Sequence, residues 1–240
     1  MLSRQLFDSE SCTFTYLLAL STGAEALIID PVVSKFDLYL TLLNELNLHL
    51  MKAIDAHVHA DHIMTLGALR VKTNCITVMG KESSVDVVSM RVEDGDKIEI
   101  DGICLDIIYT SRHTDDSYCF YTSGLVFTGD TLFIRGTGRT DFQHGSSAQA
   151  YDSLFKKILT LPDETIVYSG MTTKVTAPAL LAKKKPLTYV AGKFGRRICQ
   201  HHGQSWSAYS KDDGCCCSGQ STDWHDTGRT RDYRTHDTRC

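Results

Sequence analysis

The stretch DAHVHADH (55–62) places His57, His59, Asp61 and His62 within six residues. They come directly after MKAI, an apolar run that reads as a buried strand. Side chains at a strand exit are held by a rigid sheet yet reach solvent, a placement suited to ligating a metal. The whole chain has ten histidines, so three in one short loop are poorly explained as incidental polar residues. Two further strand exits have the same character. His113, in TSRHTDDSY, follows the run LDIIYT, and Asp130 ends LVFTGD, where Gly129 lets the backbone turn sharply. A lone His or Asp at such a place is usually a cap or turn residue. The inference rests on the three loops together. Imidazoles and a carboxylate converging on one face would hold a transition metal and leave positions on it open.

Stepwise along the chain, the elements that must carry these loops are short. TFTYLLAL (13–20) and EALIID (25–30) read as strands joined by a Ser-Thr-Gly turn. SKFDLYLTLLNEL (34–46) has apolar residues at helical spacing behind a Ser34 cap. MKAIDA is a further strand, and a helix is predicted through 63–72. Strands are expected at 76–79, 97–100, 104–109, 117–122 and 124–128. SAQAYDSLFKKILTL (147–161) is an amphipathic helix closed by Pro162, and ETIVYSG is one more strand. Strands, a helix, then strands and a helix again imply an α/β protein whose sheets are covered by helices. There is no GxGxxG or Walker sequence, which counts against nucleotide-binding folds.

HxHxDH, then the His113-Thr114 loop, then FTGDTL resemble the metallo-β-lactamase superfamily. That resemblance implies an αββα sandwich with metal held at one edge. More narrowly, LFIRGTGRTDFQHG (132–145) resembles the signature of the persulfide dioxygenases, as do QLFDSESCTFTYLLA and LIIDPV. The likeness covers residues 4–170, and GRTDFQ is its most specific part. It implies one Fe(II) per chain, bound by the catalytic residues His57, His113 and Asp130. His59, Asp61 and His62 would stand close by and orient ligands or water; in related hydrolases they hold a second metal. Arg139 matches an arginine that helps hold the glutathione part of the substrate, since a guanidinium suits a carboxylate bidentately. A brace from Arg139 to Asp141 is the structural alternative, and both can hold. Thr114 matches a threonine beside the histidine ligand and would line the substrate pocket. The implied reaction oxidises glutathione persulfide with O2 to sulfite. One departure is Ser111-Arg112, where the family has Pro-Gly before the second histidine.

A larger departure begins at YSGMTTKVT (168–176). The family continues with His-Asp-Tyr, then Lys-Gly, a Ser-rich stretch, Ser-Thr-Ile or Ser-Thr-Val, and Glu-Glu-Lys. Here the chain reads MTTKVTAPALLAKKK. A one-base shift reconciles the two texts. Each new codon takes its first base from the preceding codon's free third position and its last two from the printed codon's first two. Met171 (ATG) then yields NAT, which can encode His, and every later position is compatible with the family pattern. One missing base in or near the Gly170 codon, in the gene or in its reading, explains the change. It also explains why residues 199–240 contain no Ile, Leu, Val, Met or Phe. Such a segment cannot bury enough to offset its ordering entropy. The expectation is one domain over 1–170, its sandwich incomplete at the C-terminal end, and a disordered, out-of-frame tail over 171–240. The tail's CCCSG is no metal site, because adjacent cysteines cannot converge on one tetrahedral ion.

A formal net charge of −4 gives no reason to expect nucleic acid or an anionic membrane as partner. No apolar run reaches the ~18–20 residues that span a bilayer. Asp8, Ser9 and Glu10 interrupt the apolar N-terminus, which leads to a cytoplasmic expectation. The expected partners are glutathione persulfide and O2, and a homodimer is compatible with the family. Two other readings stand beside the dioxygenase. One is a thioester hydrolase of the glyoxalase II (hydroxyacylglutathione hydrolase) type with two Zn, opposed by GRTDFQ and by the lack of that group's helical substrate domain. The other is a non-catalytic metal-binding remnant.

Overall fold

β2 (Thr13–Ala19) is buried along its whole length because alternate side chains serve different layers. Phe14, Tyr16 and Leu18 join the core between two sheets, whereas Leu17 and Ala19 join the core under the helices. A strand sandwiched on both faces reads as a continuous apolar run, which is how TFTYLLAL appears. The computed structural model describes residues 1–59, 65–86, 88–111, 114–134, 136–138, 147–172 and 179–180.

The first sheet runs β1 (Leu2–Asp8), β2, β3 (Glu25–Ile29), β4 (His49–Ile54), β5 (Ile76–Gly80) and β6 (Met90–Val92), side by side in that order. Antiparallel pairing joins β1 to β2 and β2 to β3; from β3 to β6 the pairing is parallel. The parallel steps need crossovers; α1 (Phe36–Glu45) supplies the one from β3 to β4 and α2 (Leu66–Thr73) the one from β4 to β5. The second sheet has the order β12-β11-β10-β9-β8-β7, with β7 (Lys97–Ile100), β8 (Ile103–Tyr109), β9 (Tyr118–Thr122), β10 (Leu125–Phe127), β11 (Ile166–Tyr168) and β12 (Ala179–Leu180). α3 (Ser147–Lys156) covers its outer face, where Leu154 and Ile158 pack with Cys119, Val126 and Val167. Helices on the outside of two facing sheets make the expected αββα sandwich.

Several local expectations are corrected. β1 lacks a strand-like pattern because Ser3, Arg4 and Gln5 lie exposed on an edge strand, and the three-residue β6 is too short to show one. Ser34 does not cap α1. It sits in a 3₁₀ turn (Val33–Lys35), and its hydroxyl donates to Asp8 Oδ1 at 2.9 Å. The helix predicted over 147–161 ends at Lys156 and continues as a 3₁₀ turn over Ile158–Thr160. The helix predicted through 63–72 runs over Leu66–Thr73, and residues 60–64 lie outside those described. No helix among the described residues is long and apolar enough to cross a membrane.

The chain remains attached past Gly170. Met171 bridges to Thr13, and the Thr172 N–H donates to the Cys12 carbonyl at 3.1 Å. β12 pairs antiparallel with β11. The rest of 171–240 lies outside the described residues.

Candidate metal centre

The exits of four strands meet at one end of the sandwich. Asp30 follows β3, Asp55 to His57 follow β4, Gly129 and Asp130 follow β10, and Gly170 follows β11. Parallel pairing of Ile29 with Ile54 sets the first two exits side by side. The Ala56 N–H donates to Asp30 Oδ1 at 2.7 Å, while the Ala56 carbonyl accepts from the Tyr118 N–H at 2.8 Å. Ala56 is thereby fastened to a strand of each sheet, and His57 leaves from that fixed point.

The opposite side is set by two glycines. The Gly170 N–H donates to the Gly129 carbonyl at 2.8 Å, and the Gly170 carbonyl accepts from the Phe14 N–H at 2.7 Å. Gly129 has φ +45°, and a Cβ there would lie 2.9 Å from Ala56 Cβ. A side chain at Gly129 would push β10's exit away from β4's, and one at Gly170 would displace Gly129 itself. Their absence brings Asp130 to His57, with Oδ2 3.8 Å from Nε2 and exposures of 6% and 3%. His59 stands beside His57 at 4.1 Å between ring centroids, and its Nε2 is 3.8 Å from Asp30 Oδ1.

Of the residues expected from sequence, the structure brings together His57, His59 and Asp130. Thr114 is buried nearby in sequence to the second ligand loop, with its hydroxyl 2.6 Å from that of Ser117. Asp61, His62, His113 and Arg139 lie outside the described residues. Three acids went unrecognised in the sequence: Asp30, Asp55 and Asp116. Asp116 Oδ2 accepts from the Val58 N–H at 3.0 Å and so steadies the loop between His57 and His59. Asp30 and Asp55 end the apolar runs ALIID and MKAID, a repeated signal that could have marked them. Burial, together with the neighbouring Asp30 and Asp116 carboxylates, holds the Asp55 carboxyl well above the usual carboxylate range.

His57 and Asp130, buried where the two sheets meet, offer an imidazole and a carboxylate of the kind that hold a transition metal. Residues 81–170 match the model of the metallo-β-lactamase superfamily. Over 171 residues the chain is 40% identical to the human mitochondrial persulfide dioxygenase ETHE1, a match spanning 70% of this chain and 67% of the human protein. The chain belongs to the persulfide dioxygenase family of the metallo-β-lactamase superfamily. The crystal structure of ETHE1 from Myxococcus xanthus is similar, with TM-score 0.79 and 41% identity over 83% of this chain and 89% of that one. A probable hydroxyacylglutathione hydrolase of Schizosaccharomyces pombe is more distant, at 32% identity over 65% of this chain and 62% of the yeast protein. This persulfide dioxygenase family member carries His57 and Asp130 at strand exits on one end of the sandwich.

Proposed function

We propose that the chain is built to oxidise the sulfane sulfur of glutathione persulfide at one Fe(II) held by His57, His113 and Asp130. The observation that carries this reading is the approach of His57 Nε2 to Asp130 Oδ2, 3.8 Å apart and buried. First-row ions bind such donors at ~2.0–2.2 Å, so both can reach one ion, and burial favours a metal as partner for the carboxylate. When bound, Fe(II) supplies the redox chemistry through which persulfide, O2 and water become glutathione thiolate, sulfite and two protons. The protein's share is placement. Gly129 and Gly170 keep the floor narrow, Asp130 contributes negative charge, and Arg139 would clasp a glutathione carboxylate. Thr114 would border the persulfide end.

A hydrolase with two Zn is the second reading. The adjacency of His57 and His59 and the likeness to the yeast protein favour it. Metal content after anaerobic reconstitution separates the two. One iron per chain, lost in His57→Ala and Asp130→Ala but retained in His62→Ala, supports the dioxygenase, with O2 uptake on adding glutathione persulfide. Two Zn per chain, with one lost in His62→Ala, overturns it.

We also infer that one base is missing in or near codon 170, so that the residues after Gly170 are out of frame. The codon-by-codon compatibility of the residues after Gly170 with the family pattern in a shifted frame supports this boundary. A chain in this state would be a disabled copy of the enzyme, because the family's residues after Gly170 would be replaced by an unrelated sequence.

A further inference from the structure

Beside the proposed iron site, against the first sheet, lies a second set of donors. Asp30, Asp55 and His59 each offer one ligand atom, and these atoms lie within 4.8 Å of one another. The two acids leave adjacent parallel strands one residue after the pair Ile29–Ile54, so backbone pairing holds their separation. His59 turns back over them with Nε2 3.8 Å from Asp30 Oδ1. Asp55 is 1% exposed, and neither carboxyl oxygen has a hydrogen-bond partner among the described residues. A buried carboxyl with no donor is a rare arrangement, and here it is aimed at another carboxyl and an imidazole.

We propose that Asp30, Asp55 and His59 bind a divalent first-row cation, separate from the iron on His57 and Asp130. Two carboxylates and one imidazole suit Zn2+, Mn2+ or Fe2+ rather than a soft ion. Bonds of ~2.0–2.2 Å allow donors of one ion to be up to ~4.2 Å apart, so the cluster needs only a small closure. The ion neutralises two acids that face each other in a dry interior, and it ties the exits of β3 and β4 to the histidine loop. The site uses described residues alone and stands whether or not iron occupies the neighbouring one.

The test uses the full chain, stripped with chelator and dialysed against Zn2+, with metal per chain measured by mass spectrometry. The parent should hold one equivalent more than Asp55→Asn, an isosteric change that removes one charge, and its loss should weaken that binding at least ~10-fold. His62→Ala should hold as much as the parent. Equal metal in Asp55→Asn and parent overturns the site. Loss of the equivalent in His62→Ala also overturns it, because the ion would then sit in the binuclear position used by the hydrolases. Should Asp55→Asn fail to fold, the double variant Asp130→Ala/His62→Ala gives the answer: its Tm rises with Zn2+ if the site exists and stays unchanged if not. The iron reading fails independently, through retention of iron by Asp130→Ala.

Discussion

Gly170 and Gly67 make opposite predictions for the same substitution. A Cβ at Gly170 would come 2.8 Å from the Cα and carbonyl carbon of Gly129, backbone that cannot swing aside. Gly170→Ala should therefore destabilise by ~1–3 kcal/mol and weaken metal binding, since Gly129 precedes Asp130. Gly67, in α2, has nothing within 4 Å of such a Cβ, and Gly67→Ala should stabilise by up to ~1 kcal/mol. Thermal melting of both variants, with and without metal, checks the pair. Asp8 offers a pH test. Burial pushes its carboxyl up, but the Ser11 N–H at 2.9 Å, the Ser11 hydroxyl at 2.7 Å, the Ser34 hydroxyl and Lys35 outweigh that and hold it below 3.8. A depressed folded pKa means stability present in full above the unfolded value and lost as pH falls through the folded one. Asp8→Asn should cost ~1–2 kcal/mol at neutral pH, little of it from the partly exposed Lys35. Denaturant titrations should show parent and variant converging on the acid side of pH 3.8.

At the scale of elements, α3 connects packing to the site. Leu154 is buried against the second sheet, and Ser153 Oγ donates to the Ser111 carbonyl at 3.2 Å, at the start of the His113 loop. Lys157, just past the helix, donates to Asp94 Oδ2 at 2.7 Å and to the Tyr109 carbonyl at 2.8 Å. The helix and the residue after it thus fix the start of the turn that follows β8. Leu154→Ala should cost ~2–5 kcal/mol, and metal affinity should fall with it because the loop loses its backing. A fall in stability with unchanged metal binding would show that the loop is held by the sheet alone. The element patterns also explain what could be read in advance. β2, β3, β4 and α1 were visible because their apolar residues follow buried periods. β1 was not, since an edge strand exposing Ser3, Arg4 and Gln5 has no such period.

For the whole molecule, the decisive prediction concerns the reading frame after Gly170. Inserting one base at that codon should replace Met171 by His and restore an aliphatic-rich C-terminus in place of a segment whose composition cannot form a core. Solubility and persulfide oxidation should rise together. Limited proteolysis of the chain as it stands should trim it to a fragment ending between residues 170 and 200. A protease-resistant fragment reaching residue 240 would refute the frame inference.

The residue types of the candidate metal centre were legible in the sequence because metal chemistry restricts them: His57, His59 and Asp130 stand at the ends of apolar runs, and few other residues could serve. The αββα class followed from strand and helix periods together with the family resemblance. What the tertiary structure alone decided is the meeting of those ends. His57 leaves the first sheet and Asp130 the second, and their 3.8 Å approach depends on two glycines far apart in the chain touching through their backbones. The same holds for Asp30 and Asp55, ordinary strand-ending acids in sequence. Parallel pairing of β3 with β4 places them together in the interior, where a charge without water needs a partner. Local pattern reports which face of an element is buried. Only the packed sheets determine which side chains share that burial.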